Sequence, residues 1–230
     1  ASSADGTRLV ATVTNGLIYT SINSGSSWTS RDIARVWTSV ASSADGSNLV
    51  ATVQSGQIFT STNAGVNWNA RGSAKAWNAV ASSADGAVLL ASTSGAEVYL
   101  STDSGATWSP TALPAAAWTS VAVCGDGSRL AALYSLGSVY LSTDSGATWF
   151  ATPGITGSSI GWTDVTISSD GGLVAATAMA SPIYVSTQST MTTPGTAGYL
   201  TGARLSAIEL EYIGNGQFMP VNRLGSIRAH

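Results

Sequence analysis

Carboxylates are the main candidates for acid–base chemistry in this chain, and most of them recur at regular intervals. The 230 residues include twelve Asp and Glu. Five of these acids precede glycine in Asp-Gly pairs, from Asp5 to Asp170, and two occur in Ser-Thr-Asp-Ser-Gly segments, Asp103 and Asp144. The acids outside these two settings are Asp32, Glu97, Asp164, Glu209 and Glu211. Catalytic carboxylates are therefore to be sought among those five.

Glu209 and Glu211 form the best candidate pair for glycoside hydrolysis. That reaction needs two carboxyl groups about 5 to 9 Å apart. Two residues apart on a β-strand, these glutamates share one face at a spacing of about 7 Å. However, the alternation Ile208-Glu-Leu-Glu-Tyr212 is also typical of any strand with one exposed face. Both interpretations stay open.

The acids that precede glycine belong to a repeat. An Asp-Gly or Asn-Gly pair recurs six times, from Asp5-Gly6 to Asn215-Gly216, at steps of 40, 40, 41, 44 and 45 residues. A fixed period of about 40 residues indicates a repeat architecture. Asp-Gly and Asn-Gly supply the positive φ angles of a tight hairpin, so these acids are first of all turn residues.

A complete repeat contains four short β-rich runs, which we call A, B, C and D; six B and six C runs can be read, but only five A and four clear D runs. In the second repeat they begin at Trp37, Asn48, Gln57 and Val66, and Gly-containing turns separate them. This pattern predicts an antiparallel four-stranded meander, and no window shows helical periodicity. Such meanders bury both faces when they pack radially around an axis. The sequence therefore predicts an all-β fold with the architecture of a β-propeller.

The single histidine and the single cysteine restrict the other chemistries. His230 is the only histidine, so Ser-His-Asp catalysis and histidine-based metal sites are not expected. Cys124 is the only cysteine, which leaves neither an intrachain disulfide nor a zinc cluster. Because the sibling repeats have serine at this position, we expect Cys124 to be a small buried side chain. Neither a metal nor a cofactor is expected.

Composition narrows the classes of partner. Charged residues make up only 9 % of the chain, and nine Lys and Arg give a net charge of −3. Without a basic stripe, nucleic acid is not an expected partner. No stretch approaches the roughly 20 apolar residues of a membrane helix, and no signal peptide is seen. Low charge with abundant Ser, Thr and Gly favours a secreted or cell-surface protein.

The turn between runs C and D resembles a known motif. Ser101–Trp108 and Ser142–Trp149 match S-x-D-x-G-x-T-W, and Ser21–Trp28 and Ser61–Trp68 match it with asparagine in place of the acid. This pattern resembles the Asp-box, or bacterial neuraminidase repeat, of a β-propeller family that includes sialidases, sorting receptors and photosystem assembly factors. The resemblance implies a structural role, away from any active site, for these residues: Asn23, Asn63, Asp103, Asp144, Trp28, Trp68, Trp108 and Trp149.

No sialidase catalytic motif accompanies this resemblance. The eight arginines lack the family's surroundings, and no Arg-Ile-Pro type segment occurs near the first residue. We therefore transfer no catalytic residue from the family. An Asp-box glycoside hydrolase that uses Glu209 and Glu211 is the alternative to a noncatalytic protein.

The count of repeats allows two closures of one propeller domain, residues 1–230. Six blades are preferred, with units of about 1–36, 37–76, 77–117, 118–161, 162–203 and 204–230, because residues 217–227 continue the pattern of runs B and C. In a five-bladed alternative, residues 207–213 supply the missing inner strand of the first unit and avoid a bare sheet edge.

A tryptophan opens run A in four repeats: Trp37, Trp77, Trp118 and Trp162. Two interpretations apply to these rings. They are core residues between sheets, or they stack on sugars in a multivalent binding site. Arg35, Arg71 and Lys75 in the preceding loops would suit an anionic group. The resulting hypothesis is a noncatalytic binding propeller for a carbohydrate or a protein, with homo-oligomers also possible.

Overall fold

The computed structural model describes residues 1–95, 97–152, 161–179 and 183–187, and the strand backbone of 200–202, 207–214, 217–224 and 227–229. The chain falls into two compact units, Ala1–Gln188 and Ser189–His230. No described residue is helical, and the strands pair with antiparallel neighbours. The predicted all-β class is confirmed.

Fifteen described strands make up the first unit. They are β1 (Leu9–Thr12), β2 (Thr14–Ser21), β3 (Thr29–Ser42), β4 (Leu49–Ser61), β5 (Asn69–Ser82), β6 (Leu89–Thr93), β7 (Val98–Ser101), β8 (Ser109–Pro110), β9 (Trp118–Val123), β10 (Leu130–Tyr134), β11 (Val139–Ser142), β12 (Phe150–Ala151), β13 (Trp162–Ile167), β14 (Leu173–Ala178) and β15 (Tyr184–Thr187). In the first unit, β1 to β8 form one sheet in which neighbours along the chain pair, and β9 to β12 and β13 to β15 form two further sheets of the same kind.

The second unit contributes four described strands. They are β16 (Leu200–Gly202), β17 (Ala207–Gly214), β18 (Gln217–Leu224) and β19 (Ile227–Ala229). β17 forms a hairpin with β18, and β16 pairs with β19. The number of blades and the closure stay predictions.

In the second repeat, the four predicted runs join into longer strands. β3 contains run D of the first repeat followed by run A of the second, and β4 contains runs B and C. At the corner between B and C, Gln54 pairs with Ala76 and Gly56 pairs with Lys75, across register shifts. The sequence predicted loops before Trp37 and Trp77, and this was wrong: these segments are paired strands. The B–C corner is so tight that the strand beside it stays paired on both sides of the corner, through β-bulges.

The A–B turns of successive repeats are joined by main-chain hydrogen bonds. Ala44 N donates to Ala84 O at 2.7 Å, and Ala84 N donates to Gly125 O at 2.8 Å. Each of the first four C–D turns donates to the A–B turn of its own repeat, as Ser104 N does to Ala87 O at 3.0 Å. We call the end of the repeats that these A–B and C–D turns form the turn end.

The other end of each repeat carries the B–C corner and the crossing from run D to the next run A. Besides the pairing of Gly56 with Lys75, Ser94 N donates to Ala76 O at 2.9 Å, and Trp162 N donates to Ser135 O at 2.8 Å. Corners and crossings are thus bonded to each other. We call this end the crossing end.

The core lies between the strands and includes the tryptophan that opens run A. Each of these rings packs on an aromatic ring of run C in the same repeat, at ring-centroid distances of 4.9 to 5.6 Å. The pairs are Trp37–Phe59, Trp77–Tyr99, Trp118–Tyr140 and Trp162–Tyr184. Edge-to-face packing of this kind adds to the stabilisation that burial alone provides.

Candidate functional site

The acids of the A–B turns are engaged by their own turns. Ser43 Oγ donates to Asp45 Oδ1 at 2.6 Å, and Ser47 N donates to the same oxygen at 3.0 Å. These hydrogen bonds, first that of Ser43, lower the pKa of Asp45 to about 2. In the fourth repeat the thiol of Cys124, which is 1 % exposed as predicted, donates to Asp126 Oδ1 at 2.9 Å.

The acids of the C–D turns are engaged in the same manner. Thr107 Oγ1 donates to Asp103 Oδ2 at 2.6 Å, while Thr107 N and Ser101 Oγ donate to Oδ1. The Thr107 hydrogen bonds lead in lowering the pKa of Asp103 to about 2, and Asp144 repeats this arrangement with Thr148. A carboxylate already satisfied by several donors is a poor general base at neutral pH.

Asparagine replaces the acid in the first two C–D turns without changing the turn. Asn63 Oδ1 accepts from Ser61 Oγ at 3.0 Å and from Asn67 N at 2.9 Å. Asn23 Oδ1 accepts equivalently from Ser21 Oγ and Ser27 N. A neutral amide oxygen is therefore sufficient, so the C–D turn needs an acceptor and no charge.

The tryptophans that end these turns are half-buried in three repeats and more exposed in the first. Trp68 and Trp108 pack on Trp37 and Trp77 at centroid distances of 6.4 and 6.3 Å. The indole N–H of Trp108 donates to Gly105 O at 3.1 Å, as that of Trp149 does to Gly146 O. Trp28 is 44 % exposed.

The tryptophans that open run A do not reach a surface. Trp37 and Trp77 are 2 % exposed, and Trp118 and Trp162 are 1 % exposed. A ring so deeply buried offers no face on which a sugar ring can stack. Of the two interpretations given by the sequence, the burial of these rings favours the core.

Two of the predicted cations stand over the aromatic rings that cover these tryptophans. The guanidinium of Arg35 lies 4.2 Å from the Phe59 centroid, and Arg35 Nε lies 3.4 Å from Asp32 Oδ2. In the next repeat, Lys75 Nζ lies 4.8 Å from the Tyr99 centroid and 3.2 Å from Glu97 Oε2. The structure thus repeats one arrangement, a cation with an acid above an aromatic ring, at two successive crossings.

The Lys75 cluster is held by hydrogen bonds as well as charge. Tyr99 Oη donates to Glu97 Oε2 at 2.5 Å. Its contacts with Tyr99 and Glu97 raise the pKa of Lys75, and hydrogen bonds from Tyr99 and then Lys75 lower the pKa of Glu97. Both side chains therefore stay charged at neutral pH, and Glu97 is occupied as a counter-ion.

Arg71 does not join these clusters. Its Nε donates to Thr60 Oγ1 at 3.1 Å, just as Arg31 Nε donates to Thr20 Oγ1 at 3.1 Å. Both arginines lie on run D, where a charged side chain also discourages pairing with another strand. The expectation that Arg71 and Lys75 bind one anion together has no shared contact to support it.

The acids that lie outside the A–B and C–D turns each contact a different residue, where their side chains are described. Asp32 contacts Arg35, Glu97 contacts Lys75, and Asp164 Oδ1 accepts from Ser120 Oγ at 2.6 Å. Glu209 and Glu211 both lie in β17, but their side chains are outside the described residues. Within the described part of the chain, no three His, Cys, Asp or Glu side chains group together as metal ligands.

Exposed apolar side chains at the crossing end were missed by the sequence analysis. Ile33 is 61 % exposed, Leu136 66 %, Met179 72 % and Ile183 68 %. The first lies in a D–A crossing and the others lie at B–C corners. Their signal in the sequence is weak, because a single apolar residue in a turn region is common on protein surfaces.

An open depression of about 650 Å³ lies beside the C–D turn of the second repeat. Its lining includes Asp32, Asn63 and Trp68. Asp32 is the one carboxylate in this lining, and it is already paired with Arg35. The depression therefore lacks the two facing carboxyl groups that glycoside hydrolysis requires.

No family model matches the chain, and no curated protein matches it in sequence. None of the described residues forms a helix that is long and apolar enough to cross a membrane.

Solved structures do resemble it. "YCF48 bound to D1 peptide" has a TM-score of 0.60 at 15 % identity, over 80 % of this chain and 63 % of that one. YCF48 from Cyanidioschyzon merolae has a TM-score of 0.55 at 18 % identity, over 74 % and 60 % of the two chains. The computationally designed Ika4 protein has a TM-score of 0.52 at 12 % identity, over 66 % and 91 %. This chain thus aligns with under two thirds of each YCF48 chain. Together with the antiparallel four-run repeats, these likenesses show that the chain has a β-propeller fold.

Proposed function

We propose that this chain is a noncatalytic propeller that binds another protein through its crossing end. One observation carries the proposal: side chains differ from repeat to repeat at the crossing end, whereas those of the turn end are repeated and bonded internally. The first three crossings read Arg-Asp-Ile-Ala-Arg-Val, Arg-Gly-Ser-Ala-Lys-Ala and Thr-Ala-Leu-Pro-Ala-Ala-Ala. Side chains that the fold does not require can vary, and a surface made of them can be adapted to bind a partner.

The chemistry of this end suits a protein partner better than a sugar. Interfaces combine exposed apolar side chains with polar and cationic groups, which Ile33, Met179, Arg35 and Lys75 supply. A lectin site needs an exposed stacking ring, and the rings predicted for that role are buried. One similar structure is that of YCF48 bound to D1 peptide.

Selection from a phage-displayed peptide library on the intact protein tests this proposal. Ile33→Asp alters the crossing end and Ile22→Asp alters the turn end, at residues of the same type that are 61 % and 73 % exposed. We expect selected peptides to bind the wild type and the Ile22→Asp variant, and to lose at least tenfold in affinity for the Ile33→Asp variant. Equal loss in both variants, or loss in Ile22→Asp alone, contradicts the assignment to the crossing end.

The competing functions have their own readouts on the same protein. Binding on a glycan array, with no peptide selected, would favour recognition of carbohydrate. Turnover of a chromogenic sialoside or glucoside that disappears in Glu209→Gln and Glu211→Gln variants would establish the hydrolase alternative. Either result would replace the proposal.

A further inference from the structure

The C–D turn of the second repeat lacks a hydrogen bond that the first, third and fourth C–D turns have. In those three turns, the hydroxyl of Ser27, Thr107 or Thr148 bonds the Asn or Asp side chain four residues earlier. In the second repeat Asn67 holds this position, and only its main-chain N–H bonds Asn63, at 2.9 Å. The side-chain nitrogen of Asn63 and the whole side-chain amide of Asn67 therefore bond no described residue.

A third amide follows directly after this turn. Asn69 is the first residue of β5, it is exposed, and its side chain bonds no described residue. The first, third and fourth repeats have threonine, serine and phenylalanine at this position. Among the first four C–D turns, the second is thus the one that presents three side-chain amides, those of Asn63, Asn67 and Asn69.

All three amides line the depression of about 650 Å³ beside this turn. The lining also includes Val66, which is 53 % exposed, and the half-buried ring of Trp68. Each lining residue belongs to β3, to β5 or to the turn that joins β4 to β5. The depression is therefore built within the sheet of β1 to β8. We call it the amide depression.

The charge of the amide depression favours an uncharged ligand. Asp32 carries the one charge in the lining, and its carboxylate is paired with Arg35 at 3.4 Å. An anionic ligand would meet this carboxylate, and the lining contains no cation to bind it. Ligand specificity must therefore come from hydrogen bonds and from contact with Val66 and Trp68.

Side-chain amides beside an aromatic ring suit the chemistry of a sugar. Each amide offers two N–H donors and a carbonyl acceptor, so it can bond a hydroxyl group in either direction. The C–H groups of a pyranose are apolar and can contact an indole ring. Polar groups that converge beside an apolar surface are typical of small-molecule sites.

We propose that the amide depression is a binding site for a neutral saccharide. The amides of Asn63, Asn67 and Asn69 bond its hydroxyl groups, while Val66 and Trp68 contact its C–H groups. This site lies beside a C–D turn and is separate from the crossing-end surface. Sugar binding here involves Trp68, and none of the buried tryptophans that open run A.

A glycan array probed with the labelled full chain tests the proposal. The array carries neutral glycans that end in glucose, galactose or N-acetylglucosamine, and the same glycans capped with sialic acid. The test variant is Asn67→Ser with Asn69→Thr, which gives the turn the residues that the first repeat has at positions 27 and 29. The matched control is Asn15→Ser, at an exposed asparagine outside the depression, where the second repeat has Ser55 with a similar φ of 54°.

We expect the wild type and the Asn15→Ser variant to bind one or more neutral glycans equally, and the double variant to bind them at least fivefold more weakly. Sialylated forms should bind more weakly than neutral forms. Undiminished binding by the double variant, equal loss in the control, preference for sialylated forms, or no binding to any neutral glycan would each overturn the proposal.

Nuclear magnetic resonance locates the site independently of affinity. The asparagine side-chain amide signals that are missing from the spectrum of the double variant identify Asn67 and Asn69. Titration of the wild type with the best-bound saccharide should shift these signals, and shifts confined to other asparagines would overturn the proposal. Peptide selection at the crossing end is a separate readout, so failure to bind glycans leaves the proposed function standing, and failure to select a peptide leaves this site standing.

Discussion

The turn end and the crossing end of the repeats are built from the same chain at the same period, yet they differ in how their polar groups are used. At the turn end, each acid accepts hydrogen bonds from its own turn, and turns of neighbouring repeats are bonded through the main chain. At the crossing end, the side chains of Arg35 and Lys75 contact acids and aromatic rings, while the main chain of both residues pairs with the neighbouring B–C corner. In this protein, the side chains that recur in every repeat therefore stabilise the fold, and the side chains that differ between repeats are not required by it.

The largest effect is expected from the core beneath the crossing end. Trp77→Ala removes a ring that is 2 % exposed and packed on Tyr99 and Trp108. Loss of such a ring costs about 3–5 kcal/mol of unfolding free energy, because a cavity remains. Urea denaturation measures it. Trp28→Ala, at a ring that is 44 % exposed, is the control and is expected to cost much less; equal losses would contradict the assignment of Trp77 to the core.

A second test compares two glycines of the turn end. Gly86 has φ +75°, and an added Cβ would lie 2.7 Å from the Asn48 Cβ of the neighbouring repeat. Gly6 has φ +69°, with nothing within 4 Å of an added Cβ. Left-handed backbone alone costs a non-glycine residue roughly 1–2 kcal/mol.

Gly6→Ala should show that cost alone, and Gly86→Ala should lose more, since two repeats must also separate. Thermal unfolding of the two variants measures the difference. If both variants unfold at the same temperature, Gly86 is not needed for close packing between successive A–B turns.

The pH dependence of stability should come from the turn end. The pKa values of Asp5, Asp45, Asp103, Asp126 and Asp144 are lowered to about 2 from 3.8. A lowered folded-state pKa contributes stability that is complete above about pH 4 and is lost as pH falls through about 2. We expect the urea midpoint to fall steeply between pH 4 and pH 2.

Asparagine supplies a matched control for this acid transition. Asp103→Asn with Asp144→Asn keeps the acceptor that Asn23 and Asn63 already provide in the first two C–D turns. The double variant should keep its fold at pH 7 and lose less stability between pH 4 and pH 2 than the wild type. An unchanged acid slope would exclude these carboxylates as its source.

The smallest effect on stability is expected from the crossing-end charges. Arg35→Gln with Lys75→Gln breaks both ion pairs, which are partly exposed and screened by solvent. The urea midpoint at pH 7 should stay within experimental error of the wild type, while affinity for any selected crossing-end peptide falls. A loss of stability as large as that of Gly6→Ala would make these clusters structural and would remove the contrast between the two ends.

Local turn chemistry explains why much of the fold was predictable. Asp-Gly pairs and the Ser-x-Asp-x-Gly segments fix positive φ angles within a few residues, and the structure has them at Gly86, Ser104 and Gly105. The all-β class and the antiparallel order of strands follow from such turns. Continuity of β3, β4 and β5 did not follow, because bulged pairing around the B–C corner depends on the crossing chain that passes beside it.

The candidate site was less predictable, because burial depends on neighbours that are distant in sequence. The sequence placed Trp37 and Trp77 either in the core or at a ligand, and their burial favours the core. Arg35 and Lys75 were expected to suit an anionic group, and their contacts with Asp32 and Glu97 were not predicted. Lys75 and Glu97 are 22 residues apart and meet only because pairing of strands brings them together, whereas Asp32 and Arg35 are three residues apart in one crossing.

The sequence by itself determined the period, the turns and the strand class of this protein, since each rests on the preferences of residues close along the chain. The tertiary structure alone decided which tryptophans are covered and which acids already accept hydrogen bonds. Those properties belong to contacts between repeats, and near-identical repeats acquire different surroundings according to what lies beside them.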